Sequence, residues 1–120
     1  MVAGDKRCFD PVNDVQAQNW TTCYPTVALL PMAALAADAA ARDYEGVSTP
    51  ALFLFSPQDQ VVSPDATRVV AGRWGAARET HEITVGPGDD PYSHVIPGDA
   101  LSPGMTKSVT DQILAWAKAL

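Results

Sequence analysis

Cysteine is scarce in this 120-residue chain. Cys8 and Cys23 are its only two, too few to staple a domain and set in no Cys-x-x-Cys pattern. They read as reduced thiols of a cytoplasmic protein, with a single bridge as the alternative. Basic residues are also few: 8 against 14 acidic ones, for a net charge of −6. An acidic chain repels polyanions, so nucleic acid and anionic membrane surfaces are not expected partners. Long apolar runs are absent as well. The longest nearly uncharged stretch, residues 21–37, is too short and too rich in Ala and Pro to span a bilayer. Residues 1–10 hold nothing like the apolar core of a signal peptide. No membrane span is expected, and the expected location is the cytoplasm.

What is present belongs to a globular chain. With 47% hydrophobic and 18% charged residues, it has the usage of an ordinary folded protein. A chain of this length buries roughly two-thirds of its unfolded surface, enough for one core. Residues 1–24 show no period and read as irregular, with a helical turn near 13–20. From Pro25 the spacing of Val27, Leu30, Ala34, Leu35 and Ala41 is helical. Pro31 predicts a kink or a late start there, and Gly46 a C-terminal cap. The cluster of Trp20, Tyr24 and Met32 reads as core.

Residues 51–55 form a short, continuously apolar run, the pattern of a strand covered on both faces. Ser63-Pro64 then opens a helix as N-cap and first helical residue, running to about Trp74 and ending at Gly75. Residues 79–85 alternate, with Glu79, His81, Ile83 and Val85 on one face, and predict a second strand. A Gly/Pro/Asp-rich loop follows, then a helix from Pro103 to the end. Val109, Ile113, Trp116, Ala117 and Leu120 make its apolar stripe. The expected fold is α/β: a short parallel sheet of two main strands, 51–55 and 79–85, flanked by helices with a right-handed crossover.

Two loops carry chemistry. The strand at 51–55 runs into Ser56-Pro57-Gln58-Asp59-Gln60-Val61-Val62, and the second strand leads to Asp90-Pro91-Tyr92-Ser93-His94-Val95. Read alone, Asp59 is a turn residue and His94 a solvated loop residue. Their order and their positions past successive strands resemble the C-terminal part of the α/β-hydrolase superfamily. The likeness covers residues 48–120 and is closest to monoacylglycerol-lipase-like and lysophospholipase-like members. It implies a partial α/β-hydrolase fold with Asp59 as triad acid and His94 as triad base. Residues 25–120 would form a C-terminal α/β-hydrolase-like domain, and 1–24 a remnant of a cap or linker.

The nucleophile that should precede this pair is missing from the sequence. The strained Gly-x-Ser-x-Gly elbow needs a glycine on each side of its serine. Ser48 follows Gly46 but precedes a strand and has Pro50 in place of the second glycine. Ser56, Ser63, Ser93, Ser102 and Ser108 lack the glycine pair, and Cys8 lies between Arg7 and Phe9. Asp89, Asp90, His94 and Asp99 have metal-ligand chemistry but match no closed site, so neither metal nor cofactor is expected.

The resemblance therefore implies part of a serine ester hydrolase, inactive alone. Its small-molecule ester would bind only once the missing half is supplied. The alternative is a non-catalytic α/β binding or assembly module. In either case the apolar strand at 51–55 lacks a neighbour on one edge, which predicts a homo-oligomer formed through that edge.

Overall fold

The structure is a computed structural model that describes residues 4–120. It contains two compact units, one formed by the residues up to Arg42 and the other by Asp43–Leu120. Each is described in its own frame.

In the first unit, strands β1 (Lys6–Cys8) and β2 (Cys23–Pro25) pair antiparallel, with Lys6 opposite Pro25 and Cys8 opposite Cys23. The ladder continues through Thr26 N–H to Asp5 O and Phe9 N–H to Thr22 O, both 3.0 Å. Cys8 and Cys23 are joined in a disulfide. The expectation of free thiols is thereby corrected. Nothing in the spacing of the two residues announces the bridge; the strand register brings their Cα atoms to 4.1 Å.

Between the strands lies α1 (Asp14–Asn19). Asn13 caps it by accepting the Gln16 N–H at 2.8 Å, and the Gln16 side chain reaches back to the Val12 N–H at 2.7 Å. A 3₁₀ turn at Thr26–Ala28 leads into α2 (Leu29–Ala40). Pro31 is the third residue of α2, where a backbone N–H has no intrahelical partner in any case, so the helix accommodates it. The helix stops short of Gly46 because Asp43 makes a separate turn. Its carboxylate accepts the N–H groups of Glu45 and Gly46 at 3.1 and 3.2 Å. Trp20 and Met32 are exposed and form no core, contrary to expectation.

The second unit is mixed α/β. Strands β3 (Ala51–Phe55) and β4 (Arg78–Glu82) pair in parallel, with Ala51 opposite Arg78 and Phe55 opposite Glu82. β3 has the expected bounds. β4 begins one residue early and ends three residues before the expected 85. The reason is its partner: β3 stops at Ser56-Pro57, so the last ladder bond is Ile83 N–H to Phe55 O at 2.9 Å. Beyond it β4 has no further strand to pair with among the described residues. β4 is mostly polar and exposed, and it is a strand because β3 lies beside it.

Helix α3 (Pro64–Arg73) crosses between the strands, with Ser63 accepting the Ala66 N–H at 3.2 Å as N-cap. It ends at Trp74-Gly75, where glycine is required. A Cβ on Gly75 would lie 2.0 Å from the Glu45 carbonyl oxygen. The Gly75 N–H donates to Tyr44 O at 2.9 Å, and the Trp74 indole donates to Thr49 O at 2.8 Å. Helix α4 (Pro103–Ala119) closes the unit. Phe55, Ile83, Ile96 and Val109 form the core, with Leu54 and Met105 against it. The expected α4 stripe is only partly covered: Val109 is 1% exposed and Trp116 half-buried, while Ile113 and Leu120 are open to solvent.

Candidate functional site

The parallel pairing of β3 and β4 sends both chains out of the sheet at the same rim. This is the end of an α/β sheet where ligands bind, beyond the carboxyl ends of the strands. Asp59 lies four residues past β3, in a turn closed by its own N–H to Ser56 O at 3.2 Å. Ser56 is fully buried, and its hydroxyl accepts the Gln58 N–H at 3.2 Å. The turn thus has a fixed base. Oδ1 of Asp59 accepts the backbone N–H groups of Val61 and Val62 at 2.7 and 3.0 Å. Oδ2 faces Nδ1 of His94 at 2.9 Å.

The two residues singled out in the sequence are therefore brought together. The Asp59 side chain is 4% exposed and that of His94 39%. Burial pushes the Asp59 carboxyl up. The His94 hydrogen bond, the Val62 and Val61 amides and the attraction of the ring outweigh it, and the carboxyl stays below its ordinary value. An ionised carboxylate only accepts, so Nδ1 must carry the proton. Nε2 is then the nitrogen left to take a proton from another group.

The loop that carries His94 is ordered from within by Asp90, a 4%-exposed carboxylate. Its Oδ1 accepts the Tyr92 N–H at 3.1 Å, and its Oδ2 accepts those of His94 and Val95 at 2.9 and 2.8 Å. Ser93, between them, has φ of 53°, in the left-handed region that non-glycine residues seldom enter. The Asp90 N–H donates to the buried Ser102 hydroxyl at 3.1 Å, and that hydroxyl donates to Val95 O. Gln60 ties the two loops together. Its N–H donates to Tyr92 O at 3.0 Å and its side-chain amide to Pro91 O at 3.2 Å.

In the sequence Asp90 reads as one of four metal-type ligands, Ser102 as a serine without an elbow and Gln60 as part of the acid loop; none of the three reads as a clamp on the histidine loop. A detectable signal existed for the first: an aspartate two residues ahead of a free N–H in a Pro-containing turn is an Asx-turn pattern. Asp89 has separate work, its Oδ1 accepting the Gly104 N–H at 2.9 Å in the first turn of α4. Among the described residues, no group of three or more His, Cys, Asp or Glu side chains is arranged to hold a metal ion. His81, on β4, takes part in a structural contact, its Nδ1 lying 2.8 Å from Oε1 of Gln112 on α4.

Several serines are occupied elsewhere. Ser63 caps α3, Ser56 and Ser102 are buried within their loops, and the Ser108 hydroxyl donates to Met105 O at 3.0 Å. What the arrangement can do chemically is orient one imidazole, keep its Nδ1 protonated, and offer its Nε2 to a reacting group. The chain matches no protein-family model, no curated protein and no solved structure. Among the described residues, no helix is long and apolar enough to cross a membrane.

Proposed function

We propose that this chain supplies the acid and the base of an α/β-hydrolase-type ester hydrolase, with the serine nucleophile and oxyanion donors coming from outside these 120 residues. The observation that carries this reading is the 2.9 Å Nδ1–Oδ2 bond between His94 and Asp59, located past the ends of two parallel strands. Its components are those of a triad: a nearly buried carboxylate and a half-exposed imidazole that it orients. In the reaction, His94 Nε2 takes the serine proton during attack on a carboxylic ester and returns it to the leaving alcohol. Asp59 holds the ring and stabilises the imidazolium. β3, α3, β4 and α4 then correspond to the last part of a partial α/β-hydrolase fold, and residues 1–24 to a cap or linker remnant.

Two features favour assembly with a further chain. Among the described residues, β3 has a hydrogen-bonded neighbour on one edge only. The apolar helix α2 has no buried residue and leaves Leu30 and Leu35 each 69% exposed. A homo-oligomer through the β3 edge is the proposed assembly. The expected cytoplasmic location loses one support, because persistent disulfides are characteristic of oxidising compartments.

The test has two arms. The 120-residue chain is assayed with a short-chain p-nitrophenyl ester, and no turnover is expected. Turnover abolished by His94→Ala would place the nucleophile within the chain and overturn that part of the reading. The DNA immediately upstream of Met1 is then read in frame for a Gly-x-Ser-x-Gly elbow and the longer product is assayed. Activity should fall by about 10⁶-fold in His94→Ala, the scale on which a triad acts as a unit, and by about 10⁴-fold in Asp59→Asn. A longer product whose esterase activity ignores His94 and Asp59 would sink the proposal.

A further inference from the structure

We infer that Asp90 is a positioning residue, a buried carboxylate that sets the backbone of the His94 loop so that the imidazole meets Asp59. This rests on the reading of Asp59 and His94 as a catalytic pair and adds the device that aligns it.

A buried carboxylate must find its hydrogen-bond donors within the protein. Taking such a group out of water is costly unless its oxygens are satisfied by donors. At 4% exposure, Asp90 meets this requirement with three backbone donors, the N–H groups of Tyr92, His94 and Val95. Hydrogen bonds to a charged acceptor are about twice as strong as neutral ones. Two of the three fall on His94 itself and on the residue after it, so the carboxylate acts on the φ and ψ of the histidine. Its neighbour Ser93 is meanwhile held at φ 53°. Such a conformation persists only where the surroundings over-determine it. The Ser93 N–H to Asp90 O bond at 2.9 Å and the three bonds to the Asp90 carboxylate do so here.

The rest of the surroundings leave Asp90 little freedom. Ser102, fully buried just before α4, receives the Asp90 N–H at 3.1 Å and donates to Val95 O, bracketing the loop from the other side. Gln60 fixes the separation between the acid loop and Pro91-Tyr92 through its bonds to Tyr92 O and Pro91 O. The two clamps therefore divide the work. Gln60 sets the distance between the loops, and Asp90 sets the direction in which the imidazole leaves its own.

The experiment uses the full chain and needs no ester. Long-range ¹H–¹⁵N spectra of the His94 ring report its tautomer, and the ¹³C signal of the Asp59 carboxyl reports its titration. The wild type should show Nδ1–H as the single dominant tautomer. In Asp90→Ala the ring should relax towards the mixed tautomers of a free histidine, and the Asp59 midpoint should move up as it loses the His94 bond. Amide signals outside residues 88–104 report whether the fold survives. Asp90→Asn, which keeps the shape and one accepting oxygen, should lie between the two.

A folded Asp90→Ala with wild-type ring and carboxyl signals would overturn the assignment. So would collapse of Asp90→Ala beside an Asp90→Asn that folds with wild-type signals, and so would unfolding of both, since Asp90 would then be a determinant of the fold alone. Failure of the catalytic reading has a different signature. A longer product whose esterase activity ignores His94 and Asp59 leaves the ring measurements standing, whereas a wild-type ring without Nδ1–H dominance removes the pair itself.

Discussion

Gln60 and Tyr92 are joined backbone to backbone, the N–H of the first donating to the carbonyl of the second at 3.0 Å. That bond spans two loops far apart in sequence and brings an aspartate and a histidine within reach of one another. The Gln60 side chain adds only its amide bond to Pro91 O at 3.2 Å, on an exposed surface. Gln60→Ala should therefore cost roughly 0.5–1.5 kcal/mol in urea unfolding, the net worth of one ordinary hydrogen bond. The backbone bond survives the change, so the Nδ1–H tautomer of His94 should survive it too.

The pH dependence of stability follows from Asp59. Its carboxyl is held below the ordinary value in the folded chain. A depressed acid stabilises the fold above its unfolded pKa of roughly 3.9, and that contribution is lost as pH falls through the folded value. Urea midpoints between pH 6 and pH 3 should fall further for the wild type than for Asp59→Asn, which has no such charge to lose. Equal slopes for the two proteins would refute this.

Gly75 is a test of close approach. Its missing Cβ would lie 2.0 Å from the Glu45 oxygen and 2.9 Å from the Val47 oxygen, both backbone atoms that cannot swing aside. Gly75→Ala should destabilise the Asp43–Leu120 unit by about 1–3 kcal/mol or more, the scale of overpacking. Gly72→Ala is the control, since nothing lies within 4 Å of the added methyl group. It should be neutral to stabilising, because alanine favours a helix over glycine.

The Cys8–Cys23 bridge closes a loop with a sequence separation of 15. In the chain-entropy account, a loop of that size is worth about 3 kcal/mol. Reduction, or Cys8→Ser with Cys23→Ser, should speed hydrogen exchange at Lys6–Cys8 and Cys23–Pro25 while leaving β3 and β4 protected. Mass spectrometry of the intact chain without reductant should show the loss of two hydrogens.

Self-association can be measured directly. With one open edge on β3 and an uncovered apolar α2, light scattering should report a dimer or larger species at high micromolar concentration. A monomer throughout that range would exclude assembly through the strand edge. Leu52→Pro separates the two surfaces, because Ala51 N–H bonds to Ala77 O and the alternate residue turns its N–H away from β4. It should weaken a dimer built on that edge and leave one built on α2 unchanged.

Local chemistry in the sequence was enough to determine the elements that depend on neighbours along the chain. Ser63-Pro64 starts α3 and Pro103 starts α4, because caps and a fixed φ act within one turn. The apolar run at 51–55 is a strand of the expected length. The placement of Asp59 and His94 past successive strands was legible for the same reason. Tertiary structure alone decided everything that depends on a partner distant in sequence. β4 took its limits from β3, and β1 and β2 became strands only through each other, which also formed the disulfide. Asp90 became a clamp on His94 rather than a solvated acid because the fold buried it against three N–H groups. Caps and turns are short-range contests that a few adjacent residues settle, whereas pairing and burial depend on which distant surfaces remove water from one another.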